Sequence, residues 1–183
     1  MKLWFIDYEA SSLSDRSYPI EVGVARVDLA TRQLVESHGW LIKPYESWRE
    51  WNPESEKIHG ISRQDLEAGQ TPMLVADLLN MVLGSPYDDI PTVYCDSPAF
   101  DGQWNRTLFG VTPFRVQYHL DGVWTLIHSL LAQHASDEAA YVLRPQISAI
   151  LARPNPHRAK DDAELLASSF LEIYELILAA EQS

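Results

Sequence analysis

Two acidic residues near the N-terminus are the first candidates for chemistry. Residues 3–6 read Leu-Trp-Phe-Ile, an apolar run typical of a buried strand, and this run leads directly into Asp7 and Glu9. Side chains alternate along a strand, so both carboxylates project from one face, about 6.5–7 Å apart. Because the two carboxylates repel each other and lose hydration there, they are candidates to bind a divalent cation that prefers oxygen ligands. A strand that surfaces into water at Asp7 would explain the same pattern more simply.

Two more acidic residues lie in the first turns of predicted helices. Asp101 belongs to a helix predicted over residues 99–109, and Asp162 to the last helix, predicted over 161–180. His157 precedes Asp162 on a loop that contains two prolines. Acidic residues at helix starts complement the helix dipole, so each of them alone has an ordinary structural explanation.

Taken together and in this order, the five residues resemble the DEDDh family of 3′→5′ exonucleases. That family includes polymerase proofreading subunits, ribonuclease T and oligoribonuclease, and it carries three short motifs. The segments that resemble them are Phe5-Ile6-Asp7-Tyr8-Glu9-Ala10-Ser11-Ser12-Leu13, Phe100-Asp101 and His157-Arg158-Ala159-Lys160-Asp161-Asp162-Ala163. Ile58-His59-Gly60-Ile61 also resembles a segment that many members carry between the first two motifs. The resemblance spans about residues 3–178.

The sequence departs from the family pattern in two places. Residues 10–12 read Ala-Ser-Ser, where Thr-Thr-Gly or Ala-Thr-Gly is common. Residues 95–97 read Cys-Asp-Ser, where many members have His-Asn. The second departure introduces Asp96 as a competitor of Asp101 for the role of third carboxylate, although the Phe-Asp context favours Asp101.

The resemblance implies a two-metal hydrolysis of phosphodiester bonds at a 3′ end, releasing 5′-mononucleotides. Asp7, Glu9 and Asp162 are expected to hold one Mg²⁺ or Mn²⁺, and Asp7 with Asp101 a second one. His157 is expected to be the general base, since an imidazole titrates near neutral pH.

Three residues are expected to contact the substrate, which is the 3′ end of single-stranded or short DNA or RNA. Leu13 and His59 are the candidates for the terminal nucleotide, whose base can be stacked whatever its identity. Arg158 belongs to the stretch 139–160, which has no acidic residue but four basic ones: Arg144, Arg153, Arg158 and Lys160. We interpret this stretch as a lid that contacts phosphate, while a solvated basic face is the alternative.

Composition limits the other function classes. The chain has 183 residues and a net charge of −12, which counts against wrapping long nucleic acid but allows a pocket enzyme that acts on one chain end. The single Cys95 excludes an internal disulfide and fits a reducing, cytoplasmic location. The N-terminus does not have the pattern of a signal peptide, and no run reaches the length of a membrane span.

The predicted fold is α/β and ribonuclease H-like, with a central mixed five-stranded sheet flanked by helices in a single domain, residues 1–183. Short connections join the first three strands, which predicts an antiparallel meander. The predicted strands are 3–9, 19–27, 34–42, 90–95 and 114–120. The main predicted helices are 72–83, 99–109, 124–134, 139–151 and 161–180.

Two other classes stay open at this point. A haloacid dehalogenase-like phosphatase or phosphotransferase also begins with a buried strand and an acid pair, but it needs Asp where this chain has Glu9. A non-catalytic nucleic-acid-binding module on the same fold would have lost its metals. The family resemblance also allows a homodimer and a polymerase or repair partner, neither of which the sequence identifies.

Overall fold

The computed structural model describes residues 1–84 and 90–181 and contains one sheet with the strand order β3-β2-β1-β4-β5. The first three strands pair antiparallel, whereas β4 runs parallel to β1 and β5 parallel to β4. The predicted α/β class with a mixed five-stranded sheet is therefore confirmed. The strands are β1 (Lys2–Ala10), β2 (Pro19–Asp28), β3 (Gln33–Leu41), β4 (Thr92–Cys95) and β5 (His119–Gly122).

Helices cover both faces of this sheet. Proline occupies the first turn of the first three helices, where its missing N–H costs nothing. Among the described residues, no helix combines the length and the apolar character that a bilayer crossing needs. The helices are α1 (Pro53–His59), α2 (Pro72–Leu83), α3 (Pro98–Gly110), α4 (Val123–His134), α5 (Asp137–Leu151) and α6 (Ala159–Glu181), with a 3₁₀ turn at Asp65–Ala68.

The fifth strand is displaced from its predicted position. Residues 114–120 were expected to form it, but the strand begins at His119 and ends at Gly122. The preceding segment is held by α2, because the Asn80 side chain donates to the Arg115 carbonyl at 2.8 Å and accepts from the Gln117 amide at 3.0 Å. Residues 114–118 are therefore held by a side chain and not by strand pairing.

Alternation along β1 divides the core into two layers. Phe5 packs with the apolar side chains of α4, α5 and α6, whereas Ile6 and Tyr8 pack in a second cluster with those of α2 and α3. Asp7 and Glu9 are in phase with Phe5 and therefore belong to the face covered by α6. β1 is the central strand of the sheet, so its carboxylates are placed by packing on both sides.

We expect Phe170→Ala to destabilise the fold by about 3–5 kcal/mol, because it removes a fully buried ring and leaves a cavity. Phe170 on α6 packs against Phe5 with ring centroids 5.2 Å apart. Urea denaturation would measure the free energy of unfolding. The matched control is Tyr141→Ala on α5, where the ring is 79% exposed and the expected change is within about 0.5 kcal/mol. Equal losses in the two variants would contradict the assigned core.

Candidate active site

The five residues singled out from the sequence come from three separate elements and converge at one end of β1. Asp7 and Glu9 lie on β1, and Asp101 lies in the first turn of α3. Asp162 lies in the first turn of α6, and His157 lies two residues before this helix begins. One potential ligand atom each from Glu9, His157 and Asp162 lies within 4.8 Å of the others. Among described residues, this is the one group of at least three such side chains that meets this spacing.

Asp7 and Asp101 form one side of the carboxylate cluster. Burial, followed by the charges of Asp101 and Glu9, raises the pKa of Asp7 well above its ordinary value. Asp101 is 1% exposed, and burial followed by the charge of Asp96 raises its pKa to about 8. The Ser97 amide donates to Asp101 Oδ2 at 3.3 Å, which fixes that side chain across the first turn of α3.

Glu9 and Asp162 form the other side of the cluster. Burial, followed by the charge of Asp162, raises the pKa of Glu9 to about 8. Burial raises the pKa of Asp162 to about 6, while the nearby His157 opposes this shift. Both carboxylate oxygens of Asp162 are buried, and neither has a hydrogen-bond partner among the described residues. A carboxylate in this state is costly unless a cation binds it, so the oxygen donors here fit a divalent cation.

His157 is held in an unusual backbone conformation. Its φ of +56° lies in the left-handed region, which is uncommon for a residue other than glycine. Such a conformation persists only where the surrounding structure determines it, and it is frequent at functional sites. The Asp162 amide donates to the Arg158 carbonyl at 2.9 Å, so the first turn of α6 follows His157 immediately.

Glu21 contacts the site but is absent from the residues that the sequence singled out. It is 5% exposed and lies on β2 between two fully buried apolar neighbours, Ile20 and Val22. Its carboxylate accepts hydrogen bonds from the Arg158 guanidinium and from the Ala159 amide. The available signal was its position in a strand that is otherwise apolar over six residues, because a charge buried there needs a partner.

A cavity of about 230 Å³ lies directly beside Glu9 and His157. Leu13 and His59, the two residues predicted to contact the terminal nucleotide, both line this cavity, and their contact with substrate stays a prediction. His59 Nδ1 accepts from the Ile61 amide at 3.0 Å, and burial lowers the pKa of the ring, which favours its neutral form. Trp104, which was not among the predicted site residues, lines the cavity as well.

The basic stretch is less available for phosphate than its composition suggests. Arg153 makes two hydrogen bonds to Glu172, Arg158 makes two to Glu21, and the ammonium group of Lys160 lies 3.5 Å from Glu164. The Arg158 side chain nevertheless remains 47% exposed. Its role in substrate binding, like that of the whole stretch as a lid, stays a prediction.

Asp96 also remains close to the cluster. It is exposed after β4 and lines a small cavity of about 50 Å³ together with Asp7, Asp162 and Arg153. Asp101 differs from it in being buried and fixed by a hydrogen bond. The structure therefore places both candidates for the third carboxylate at the site.

Solved structures of exonucleases share this architecture, although no protein-family model and no curated protein sequence matches the chain. The zinc-bound form of E. coli exonuclease I in complex with single-stranded DNA superposes with a TM-score of 0.64 at 15% identity, covering 95% of this chain and 42% of that one. The chain has the ribonuclease H-like fold of these exonucleases. A moderately thermophilic exonuclease I from Methylocaldum szegediense gives 0.69 at 16% identity, with 96% and 42% covered. Cell-death related nuclease 4 gives 0.66 at 15% identity, with 96% and 64% covered.

This chain spans less than two thirds of the length of each of these three proteins. The likeness therefore concerns only a part of each of those proteins. At these identities it establishes the fold, and the assignment of activity rests on the site itself.

We expect the metal-free protein to lose stability as the pH rises from about 4 to about 8. The folded state raises the pKa of Glu9 and Asp101 to about 8 and that of Asp162 to about 6, so it binds more protons than the unfolded state in this window. The free energy of unfolding therefore falls with pH, the reverse of the usual behaviour of carboxylates. Melting temperatures in EDTA at pH 5 and pH 8 would measure it.

Two controls accompany this measurement. Mg²⁺ should raise the melting temperature more at pH 8 than at pH 5, because the carboxylates release their protons when the cation binds. Glu9→Gln should weaken the dependence on pH, since it removes one of the shifted groups. A melting temperature in EDTA that stays constant or rises between pH 5 and pH 8 would contradict the assigned electrostatics.

Proposed function

We propose that the chain is a metal-dependent 3′→5′ exonuclease that releases 5′-mononucleotides from single-stranded or short DNA or RNA. The observation that carries this proposal is the buried carboxylate of Asp162, without a hydrogen-bond partner among the described residues and close to Glu9 and His157. It lies on a fold shared with exonucleases, at the point where Asp7 and Asp101 also meet.

The carboxylates divide into two ligand sets in this proposal. Asp7, Glu9 and Asp162 would hold one Mg²⁺ or Mn²⁺, and Asp7 with Asp101 a second. When bound, the two cations supply positive charge against the negative charge that develops on the phosphate and on the leaving 3′-oxygen. The repulsion that raises the pKa values of these groups in the free protein is then replaced by attraction.

His157 acts as the general base. Its imidazole takes a proton from the attacking water as the oxygen of that water bonds to phosphorus. The bond between phosphorus and the 3′-oxygen breaks and the leaving oxygen takes a proton from solvent, so the shortened strand ends in a 3′-hydroxyl and the released nucleotide keeps its 5′-phosphate. The proximity of His157 to Glu9 and Asp162 supports this role, because the base must lie beside the groups that would hold the cation.

The cavity beside His157 receives the terminal nucleotide. Leu13 and Ile58 are 68% and 58% exposed, and large apolar side chains at the rim of a polar site suit contact with the face of a base. The neutral His59 can offer a nitrogen to the sugar or the phosphate, and Arg158 can offer its exposed edge to a phosphate. The net charge of −12 favours short or single-stranded ends over long duplexes.

A haloacid dehalogenase-like activity has no support in this structure. The solved structures compared above are nucleases, and Glu9 occupies the position where that chemistry requires Asp. A non-catalytic nucleic-acid-binding module remains the alternative that the following experiment separates from the proposal.

We expect the wild-type protein to shorten matched single-stranded DNA and RNA oligomers stepwise from the 3′ end in Mg²⁺ or Mn²⁺. EDTA and Asp7→Asn should each abolish the release of 5′-mononucleotides, because Asp7 belongs to both ligand sets. His157→Gln should lower the rate by about 10²–10⁴-fold, which is the usual contribution of a general base. Oligomers labelled at the 5′ end would show the polarity directly. Binding of the oligomers without shortening would contradict the proposal and favour the non-catalytic module.

A second prediction separates the two candidates for the third carboxylate. We expect Asp101→Asn to abolish metal-dependent release, because Asp101 is buried beside Asp7 and its charge acts directly on that residue. Asp96→Asn is the matched control and should retain activity within a few-fold, since Asp96 is exposed. The same oligomer assay measures both variants. The opposite order of activities would assign the metal to Asp96.

A further inference from the structure

Three positions on neighbouring strands receive the beginning of α6. Glu21 and Gly23 lie two residues apart on β2, hence on one face, and Gly39 pairs with Gly23 across β3. We call these three residues, Glu21, Gly23 and Gly39, the α6 seat. Residues 158–160 rest on it, and this short segment is bounded by two site residues, His157 on one side and Asp162 two positions beyond the other.

Glu21 provides the polar part of the seat. Its Oε2 accepts from Arg158 Nε at 3.0 Å and from the Ala159 amide at 3.0 Å, and its Oε1 accepts from Arg158 Nη2 at 2.6 Å. A guanidinium and a carboxylate bonded through two atoms each have a defined relative orientation. Because Glu21 is almost fully buried on a sheet strand, this orientation fixes the residue that follows His157.

The two glycines provide the space. A Cβ atom on Gly23 would lie 2.1 Å from the Ala159 carbonyl oxygen, which is backbone and cannot move aside without displacing α6. A Cβ atom on Gly39 would lie 2.8 Å from the Cβ of Lys160. The start of α6 therefore lies directly against the sheet, close enough for the Ala159 amide to reach the Glu21 carboxylate.

The contact also has an electrostatic consequence. Ala159 is the first residue of α6, so its amide has no partner within the helix, and a negative charge there is favoured by the helix dipole. The charge of Glu21 contributes to raising the pKa of Glu9, while the charge of Arg158 opposes that shift. Pairing Glu21 with Arg158 thus gives α6 an anchoring carboxylate with less added repulsion at the carboxylate cluster.

We propose that Glu21 is a positioning residue, which acts through Arg158 and Ala159 to place the His157 imidazole and the Asp162 carboxylate against Glu9. This inference rests on the proposed nuclease function. It explains how a non-glycine residue is held at a φ of +56° immediately before a helix. It also assigns a role to the one buried acidic residue on β2, which lies outside both metal-ligand sets.

The test compares Glu21→Ala and Glu21→Gln with the matched control Glu36→Gln. Glu36 also pairs with an arginine on β2, since its Oε2 lies 2.5 Å from Arg26 Nη2, but this pair lies away from the α6 seat. We expect Glu21→Ala to lower kcat and to weaken Mn²⁺ binding by about 10–100-fold each, the usual effect of losing a residue that orients metal ligands. Glu21→Gln should lose less, because its amide oxygen still accepts a hydrogen bond. KM for the oligomer should change less than about threefold in both, and Glu36→Gln should match wild type.

Mn²⁺ binding is measured by calorimetry without oligomer, kcat and KM are measured with the oligomer assay, and melting temperatures are recorded for all variants. Wild-type kcat and Mn²⁺ affinity in Glu21→Ala would overturn the inference. So would an equal loss of both in Glu36→Gln, which would attribute the effect to the stability of the sheet. If Glu21→Ala does not fold, Glu21→Gln decides by the same two criteria. A wild-type protein that binds Mn²⁺ but cleaves nothing would overturn the nuclease proposal, while the Mn²⁺ affinities would still test the placement of Asp162.

Discussion

Repulsion among four carboxylates at the end of one buried strand is the constraint on which this structure depends. Asp7, Glu9, Asp101 and Asp162 each have a raised pKa, and burial is the largest cause in every case. A fold selected for stability alone would not place them together, because each adds to the cost of the others. The cluster is accounted for if divalent cations bind it, and the oxygens of Asp162, which have no hydrogen-bond partner among the described residues, mark one place where a cation would bind.

Packing in the remainder of the molecule holds these carboxylates in place despite their repulsion. β1 lies at the centre of the sheet, and its apolar side chains pack into a separate core layer on each face. α6 contributes Asp162 at its start and Phe170 to the core two turns later, so the same helix both positions a carboxylate and stabilises the strand opposite it. Carboxylates that repel one another can stay close together in a folded chain only where tight packing determines their positions.

The sequence predicted those parts of the molecule that local patterns encode. Alternation in β1 predicted that Asp7 and Glu9 share a face, and the first four strands lie within two residues of their predicted bounds. Pairings across long distances were not predictable in this way. Nothing near Asn80 indicates that it holds residues 115–117, which is why the fifth strand was predicted too early, and nothing near Glu21 indicates its partner 137 residues away. The role of each becomes clear only when tertiary structure brings the two segments together.

This protein and its proposed substrate are both negatively charged, so the cations would have a second role, which is to attract the substrate. The arginines nearest the site, Arg153 and Arg158, already have carboxylate partners, so attraction for a phosphate must come mainly from the metals bound at the cluster. A strand would then be attracted at its reacting phosphate and only weakly along its length. Hydrolysis would then depend on the occupancy of the two proposed metal sites, and the pairing of Glu21 with Arg158 would act on it by determining where Asp162 lies.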